Sequence, residues 1–504
     1  MSVGHAKLIM SRCLTRANSA CTQRAANLSN NKKVTSLMKK TLRNGGAVAL
    51  LTGVALVATA CGGGTTEEVV VAPPVVDDVT VTDNGTTGDV VTAGQCAPGS
   101  TITWDTFLDV NPDGWGAVVD AFQNEYDVTV NVVQFGESTD LRDALLSGLA
   151  VGGAGVGDVV TIEQDHWQTA MINPADFLTL PAIPGRWLDW AGDEGIVDGQ
   201  LKGYRTDISP ISIMFNADLL TEHGFEQYAT PEAFSEWIGG ANATWETYLA
   251  AGEEWTQATG LYWVDSMSNG PLRAAIRQLP VAFEDPATGA AIPLEDNTAV
   301  ENLFMEMGQA SADGLDANVP FWDGAWGSLM LNGEFVTFVA PAWMMGWPLM
   351  PSGAGTHVDG AWRVAEVFPN GGANWGGAFM AVPAHTANAE CAIAFADFLT
   401  NDDAAARMWG AEGAFPSQLG VLDAGIDATP AQLEFFGGQD VAATFTELAE
   451  HIPAPPYRGP AFGAIQDDVV FQIFSTIGEG TATPEQAWQN AVDEFHAMGF
   501  AENQ

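Results

Sequence analysis

Two carboxylates stand where an open α/β sheet presents groups to a ligand. Glu163 and Asp165 directly follow the apolar run 159–162, which is predicted to be a buried strand after a glycine-rich turn. Ligands bind outside the carboxyl ends of strands in open α/β sheets. Asp265 and Ser266 follow another strand-like run in the same way. Because carboxylates accept hydrogen bonds from hydroxyl groups, these positions predict a site for a hydroxyl-rich ligand.

Tryptophan is the second residue type that points to chemistry. The chain has 17 Trp against 6 Tyr, and every Trp follows Cys61. Indole faces cover the C–H patches of a sugar ring, so Trp in a cleft suits carbohydrate stacking, although most Trp of a globular body lie in the core. Trp343 follows a predicted strand and Trp375 precedes two glycines, and we predict that both touch the ligand.

Further candidates come from a short helix and a proline-rich loop. Trp322 and Asp323 are predicted to open, together with Trp326, a helix that faces the predicted ligand site, and a core position suits Trp326 at least equally. Arg458 lies in the proline-rich stretch 455–460. Its guanidinium either donates to ligand hydroxyls or pairs with the acidic surface, and the sequence leaves both interpretations open.

An alternation of strands and helices positions the first pair of carboxylates. Strands are predicted over 102–104, 128–135 and 157–162, and helices over 116–126 and 141–150. This β-α-β-α-β order is typical of an α/β sheet with both faces covered. The glycine-rich stretch before the third strand contains no Lys and does not open a helix, so we interpret it as a turn and not as a phosphate-binding loop.

Length and charge limit the class of protein. The 504 residues exceed what one hydrophobic core serves, which predicts two lobes or domains. After Cys61 there are nine basic and 63 acidic residues, a formal charge of −54. Such an acidic body does not bind nucleic acid or an anionic bilayer through its face. The scarcity of Lys and Arg also argues against a phosphorylated or carboxylated ligand and predicts a neutral one.

The N-terminus has the features of an export signal. The apolar run 45–60 follows three basic residues and is too short to span roughly 30 Å of hydrocarbon comfortably. We predict that translation starts at Met38 and that residues 1–60 contain a signal peptide. Residues 61–95 are rich in Gly, Val, Thr and Asp and lack aromatic side chains, which predicts a flexible tether.

Three cysteines, Cys61, Cys96 and Cys391, follow the predicted signal. Ala58-Thr59-Ala60-Cys61 resembles the lipobox of bacterial lipoproteins, which implies that Cys61 is acylated and anchors the mature chain to a membrane. Ordinary cleavage that leaves a free Cys61 is the alternative. In an exported chain the isolated pair Cys96 and Cys391 favours a disulfide, with two buried free thiols as the alternative.

Blocks spread over the chain resemble, in their order and spacing, one known family. They are 204–220, 331–343, 375–383, 394–399, 413–417 and 483–488. They are similar to blocks of bacterial extracellular solute-binding proteins of ABC importers, in the sugar-binding branch that resembles maltose-binding protein. The similarity spans roughly residues 101–500.

The resemblance implies an α/β, two-lobe fold of the periplasmic-binding-protein type (type II), with a ligand cleft between lobes joined by a three-strand hinge. It places the N-terminal lobe at 96–206 plus 371–430 and the C-terminal lobe at 207–370 plus 431–504. The hinge crossings are expected near 204–210, near 368–372 and within 420–440. Asp165 matches a hydroxyl-binding carboxylate of relatives, whereas Ser209 occupies a crossover position that some relatives fill with a carboxylate.

The function implied is that of an exported, membrane-anchored lipoprotein, on the periplasmic face or the outer cell surface. It would capture a neutral sugar or oligosaccharide as a monomer and deliver it to the permease subunits of an ABC importer, without cofactor, metal or catalysis. A binding protein for a polyol, polyamine or compatible solute is the alternative. A glycoside hydrolase is a weaker alternative, carried only by the abundance of carboxylates.

Overall fold

A computed structural model of the protein describes residues 96–453 and 457–500. The predicted signal peptide, Cys61 and the predicted tether lie outside the described residues. Within the part of the chain that the structure describes, no helix is long and apolar enough to cross a membrane.

Thirteen strands lie in the described ranges. They are β1 (Thr101–Thr106), β2 (Thr129–Gln134), β3 (Val159–Glu163), β4 (Ile196–Val197), β5 (Gln200–Leu201), β6 (Gly203–Arg205), β7 (Asp207–Ile208), β8 (Ile211–Asn216), β9 (Tyr262–Val264), β10 (Phe335–Pro341), β11 (Trp362–Val364), β12 (Ala378–Ala381) and β13 (Phe415–Pro416). Most of them belong to two separate sheets, and each sheet is the centre of one lobe.

The helices lie mostly on the faces of these sheets. They are α1 (Trp115–Tyr126), α2 (Ser138–Ala150), α3 (Trp167–Ala170), α4 (Asp189–Asp193), α5 (Ala217–Glu222), α6 (Pro231–Trp237), α7 (Trp245–Thr259), α8 (Arg273–Arg277), α9 (Thr298–Ala312), α10 (Trp326–Leu331), α11 (Leu349–Gly353), α12 (Ala389–Leu399), α13 (Asp402–Glu412), α14 (Leu419–Ala424), α15 (Pro430–Phe435), α16 (Val441–Glu450), α17 (Gln472–Gly478) and α18 (Pro484–Ala497).

The first lobe is built on a five-stranded sheet in the order β2-β1-β3-β12-β6. β1 pairs in parallel with β2 and β3, while β12 runs antiparallel to β3 and β6. Four of the five residues of β3 are buried because helices cover both faces of the sheet. The predicted β-α-β-α-β alternation is confirmed, with element ends that differ from the prediction by at most three residues.

The second lobe is built on a four-stranded sheet in the order β11-β8-β10-β9. Its central strands, β8 and β10, are buried along their whole length, which agrees with their nearly continuous apolar sequence. Two of the helices around it begin with a capping box, at Thr244 and at Thr483. In each box the threonine side chain accepts the backbone N–H three residues later, and the side chain of that later residue accepts the backbone N–H of the threonine.

The chain passes between the sheets through a compact hinge. β6 belongs to the first sheet and β8 to the second, and the short strand β7 between them pairs antiparallel with β13. The return from β11 to β12 runs alongside, where Asn374 bridges Pro210 and accepts a hydrogen bond from the Ser209 N–H at 2.7 Å. The exact lobe limits given above stay a prediction.

Cys96 and Cys391 form a disulfide bond in the structure, with their Cα atoms 4.5 Å apart. Both cysteines are buried in the core of the first lobe. Cys96 precedes β1, whereas Cys391 lies in the first turn of α12, 295 residues later. The bond therefore connects the beginning of the folded body to a helix of the same lobe.

Candidate functional site

Asp165 lies at the centre of the contact between the two lobes. It follows β3 in a single 3₁₀ turn, which the Glu163 carboxylate stabilises by accepting the Asp165 N–H at 3.1 Å. Its carboxylate faces Arg277 of α8 in the second lobe, with Nη1 donating to Oδ1 at 3.1 Å and Nη2 donating to Oδ2. Arg458 Nε lies 3.4 Å from Oδ1. One carboxylate of the first lobe thus contacts two guanidiniums of the second.

A second carboxylate extends this network. Glu194, at the end of α4, accepts from Arg458 Nη1 at 3.1 Å and from Arg205 Nη1 at 2.6 Å. Gln164 donates to both of its oxygens, at 2.8 and 2.7 Å, and Asn374 donates to Gln164 Oε1 at 2.9 Å. The hinge residues and the lobe contact therefore belong to one hydrogen-bonded system.

A fourth arginine completes the group on the second-lobe side. Arg273 Nη2 donates to Asp467 at 2.9 Å, and its guanidinium carbon lies 4.3 Å from the centre of the Trp375 ring. All four arginines are buried. We call the arginine cluster Arg205, Arg273, Arg277 and Arg458 with their carboxylate partners Asp165, Glu194 and Asp467.

The cluster separates the pKa values of two neighbouring carboxyl groups. Burial opposes ionisation of Asp165, but the charges of Arg277 and Arg458 hold its pKa well below its usual range. Burial, followed by the negative charge of Asp165, raises the pKa of Glu163 to about 8, although the charges of Arg277 and Arg458 act to lower it. Asp165 is therefore an anion at neutral pH, whereas Glu163 is mostly protonated.

Two glycines at the end of the hinge allow the Trp343 and Arg205 side chains to pack closely against the backbone. Gly376 and Gly377 have φ angles of +112° and +95°, which other residues rarely adopt. A Cβ atom on Gly376 would lie 2.9 Å from the Trp343 Nε1, and one on Gly377 would lie 2.5 Å from Arg205 Nη2. The Gly-Gly pair after Trp375 is thus required by the groups packed against it.

Aromatic side chains lie next to the arginine cluster. We call them the aromatic group: Phe321, Trp322, Trp343, Trp347 and Trp375. The Phe321 ring is the centre, with the other four ring centres 4.7 to 6.0 Å away. Trp322 and Trp347 are 54% and 53% exposed, so the group presents indole surface to solvent at its outer edge. Its inner edge is Trp375, which stacks against Arg273.

The structure brings five of the sequence candidates into these two groups: Asp165 and Arg458 in the cluster, and Trp322, Trp343 and Trp375 in the aromatic group. Trp343 Nε1 donates to the Trp375 carbonyl at 3.2 Å. Glu163 adjoins the cluster through its turn. These placements are geometric, and ligand contact at each residue stays a prediction.

The other candidates lie in different surroundings. Asp265 is buried and accepts from Trp326 Nε1 at 2.8 Å, and burial raises its pKa to about 8. Ser266 is buried beside Ser268, with 3.2 Å between their hydroxyl oxygens. The Ser209 hydroxyl is buried without a hydrogen-bond partner.

The helix predicted to open at Trp322 and Asp323 begins later, which corrects that prediction. α10 starts at Trp326, because Asp323 uses its carboxylate to accept the Ala325 N–H at 2.7 Å and closes a turn first. Trp322 is exposed in the aromatic group, and Asp323 is exposed on this turn. Trp326 is buried, as its core interpretation required.

Sequence reasoning missed most of the arginine cluster. Arg273 and Arg277 lie on α8 after a π-helical turn, and no local pattern marks them as binding residues. Trp347 and Phe321 were missed in the same way. One signal was available, because Arg273 and Arg277 interrupt an otherwise apolar segment. A charged residue in such a segment is rarely buried without a partner, so the two arginines could have been predicted to have one.

Two α/β lobes joined by a hinge, with polar and aromatic side chains converging where they meet, define a bilobal solute-binding protein. The family model for bacterial extracellular solute-binding proteins matches residues 117–434. The chain belongs to this family. No curated protein matches the sequence.

Solved structures share this fold. A structure described as an extracellular solute-binding protein of family 1 has 24% identity and a TM-score of 0.68, covering 79% of this chain and 99% of that chain. The ABC-transporter-associated binding protein from B. animalis subsp. lactis Bl-04, in complex with beta-1,6-galactobiose, has 18% identity and a TM-score of 0.63, covering 80% and 98%. Maltose-bound MalE3 of T. maritima has 15% identity and a TM-score of 0.59, covering 79% and 100%.

Proposed function

We propose that this protein is the receptor of an ABC importer, that it binds a saccharide between its lobes, and that it passes the saccharide unchanged to membrane permease subunits. The observation that carries the proposal is the aromatic group, which presents the exposed indoles Trp322 and Trp347 at its outer edge and meets the buried arginine cluster at Trp375. A sugar needs these two elements together, because its ring has apolar C–H faces and a polar edge of hydroxyls.

The relatives support the same ligand class. The proteins from B. animalis and T. maritima were solved with beta-1,6-galactobiose and maltose, respectively. The family also supports export, and the lipobox-like Ala58-Thr59-Ala60-Cys61 supports a lipid anchor at Cys61 on a monomeric receptor. In this proposal the tether of residues 61–95 holds the two lobes close to the permease.

The ion pairs support binding without catalysis. A glycoside hydrolase needs two carboxyl groups facing a bond from opposite sides, one of them as a proton donor. Glu163 and Asp165 instead share one turn, and Asp165 is held by two guanidiniums. The arginine cluster also disfavours a polyamine, because a cationic ligand would be repelled by four buried guanidiniums.

The test is a thermal-shift screen of the purified exported protein against a carbohydrate panel. A ligand that binds only the folded protein raises its melting temperature, and titration of Trp fluorescence then gives the dissociation constant. We expect at least one saccharide to bind and to be recovered intact after overnight incubation. Release of new reducing ends would replace the proposal with a hydrolase, and binding of polyamines or polyols alone would replace the ligand class.

A further inference from the structure

The positive charge of this acidic body is concentrated at one place. Nine basic residues are present after Cys61, and four of them form the arginine cluster. These four side chains are 0 to 5% exposed. Burial of an arginine is costly unless its charge is paired and its N–H groups are bonded. The four buried guanidiniums therefore need negative charges and hydrogen-bond acceptors around them.

The protein supplies fewer negative charges than positive ones at this point. Four guanidiniums contact three carboxylates, Asp165, Glu194 and Asp467. Glu163 adds little, because burial raises its pKa to about 8. Burial lowers the pKa of His166, so this neighbour adds no full positive charge. One positive charge is left without a matching carboxylate among the groups in direct contact.

Several donors of the cluster also lack acceptors. The Nε atoms of Arg273, Arg277 and Arg458 and the Nη2 atom of Arg458 are buried without a hydrogen-bond partner. Arg458 Nε lies 3.4 Å from Asp165, which is an ion-pair distance without hydrogen-bond geometry. Arg458 thus has two donors available on one edge of its guanidinium. An anion that presents two oxygens side by side, such as a carboxylate or a sulfate, fits such an edge in a bidentate arrangement.

The aromatic group lies where the ring of such a ligand would stack. Trp375 belongs to both groups, with its ring centre 4.3 Å from the Arg273 guanidinium carbon and 6.0 Å from the Phe321 ring centre. A sugar ring stacked on this group would lie next to Trp375, over which the Arg273 and Arg277 guanidiniums lie with their carbons 4.3 and 5.8 Å from the ring centre. Neutral hydroxyls would satisfy some N–H groups but would leave the positive charge uncompensated.

We infer that the ligand is an acidic saccharide whose singly charged group, a uronate carboxylate or a sulfate ester, binds the free donors of Arg458 and Arg277. This inference rests on the proposed saccharide-binding function and names its substrate class. It departs from the expectation of a neutral ligand, which came from the scarcity of basic residues. Scarcity in the whole body did not reveal that four of these residues meet in one buried place.

The experiment compares matched pairs of ligands on the exported protein. Each uronate-containing disaccharide is titrated beside the neutral disaccharide of the same linkage, and a sulfate ester of the same neutral sugar forms a third arm. We expect one acidic form to bind about 10- to 100-fold more tightly than its neutral partner, as charge-assisted hydrogen bonds in a buried site predict. The better of the carboxylate and sulfate arms identifies the anionic group.

Two variants test the assignment to Arg458. Arg458→Gln should lower the affinity for the acidic form at least 10-fold and bring the ratio of acidic to neutral affinity close to one. Arg458→Lys keeps the positive charge but loses the planar pair of donors, so its affinity for the acidic form should lie between those of the unchanged protein and of Arg458→Gln. This variant keeps the test valid if Arg458→Gln does not fold. Arg407→Gln removes an exposed arginine outside the cluster and should not change the ratio.

The outcomes separate this inference from the proposed function. Tight binding of neutral saccharides with no preference for acidic ones overturns the inference and leaves the proposed function standing. Failure of all saccharides overturns the proposed function itself. A preference for acidic saccharides that Arg458→Gln and Arg458→Lys both leave unchanged places the anionic group elsewhere and overturns the assignment to this cluster.

Discussion

The arginine cluster and the aromatic group lie side by side and meet at Trp375, but solvent reaches them very differently. The four arginines are almost completely buried, and the contacts of Arg277 and Arg458 cross from one lobe to the other. Trp322 and Trp347 are about half exposed, and their aromatic neighbours Phe321 and Trp343 belong to the second lobe. One region thus joins the two lobes, whereas the other presents aromatic surface to solvent.

From this difference we expect the arginine cluster to affect stability and the aromatic group to affect ligand affinity. Charges that are buried in pairs are destabilising when one partner is lost, because the other remains without compensation. Exposed indoles contribute little to folding but lose solvent when a ligand covers them. We therefore expect substitutions in the two regions to act on different measured quantities.

The largest effect is expected for Arg277→Met. It leaves Asp165 buried with only the longer contact to Arg458, and the free energy of unfolding should fall by about 3–5 kcal/mol in urea denaturation. The double variant Arg277→Met/Asp165→Asn removes both charges and should recover most of this loss. A decrease below about 1 kcal/mol for the single variant would show that the pair is solvated and would contradict the buried cluster.

An intermediate effect is expected for Glu163→Gln on the pH dependence of stability. Burial raises the pKa of Glu163 to about 8, so the native state keeps a proton that the unfolded state releases at lower pH. Stability is therefore fully present below the pKa of the unfolded state and is lost as pH rises toward about 8. Glu163→Gln has no group that ionises at this position, so its stability should not show this decrease.

The difference between the two proteins should reach roughly 2 kcal/mol between pH 4 and pH 8, reduced from the full linkage value because the side chain is 17% exposed. Urea denaturation at both pH values measures it. Asp265 and Glu412, whose pKa values burial also raises to about 8, titrate in both proteins and cancel in the comparison. Parallel stability curves would show that Glu163 ionises normally.

The smallest effect is expected for Trp347→Ala. Loss of one stacking surface should weaken saccharide binding by about 1 kcal/mol, or roughly five-fold, while the free energy of unfolding changes by less than ~0.5 kcal/mol. Titration of the ligand by calorimetry checks the first value and urea denaturation the second. Tyr262→Ala is the control, because Tyr262 is a partly exposed aromatic residue at the end of β9 opposite to Asp265. Equal affinities in both variants would remove Trp347 from the site.

The sequence was sufficient for the fold because the fold depends on local patterns. The apolar runs that became β3 and β10, the helix-breaking glycines and the family blocks all carry their structural meaning within short windows. The beginning of α10 was missed by four residues, since the competing turn at Asp323 depends on one side-chain hydrogen bond. Such a bond is as compatible with a helix cap as with a turn.

The site was only partly predictable because its residues meet across the lobes. Asp165 and Trp343 were found because each follows a strand, whereas Trp375 was found because it precedes two glycines. Arg277 lies 112 residues from its partner, and nothing near it in the sequence indicates Asp165. Ion pairs of this kind are decided by how two folded bodies meet, which no local pattern records.

The disulfide between Cys96 and Cys391 determines where a mechanical pull on the protein would act. If the predicted tether links Cys61 to a membrane, tension on it reaches the folded body at Cys96 and divides there between β1 and α12. Without the bond, the same tension would act on β1 alone and could peel it from its neighbours β2 and β3. If Cys61 anchors the chain, two elements of the first lobe therefore hold its attachment point.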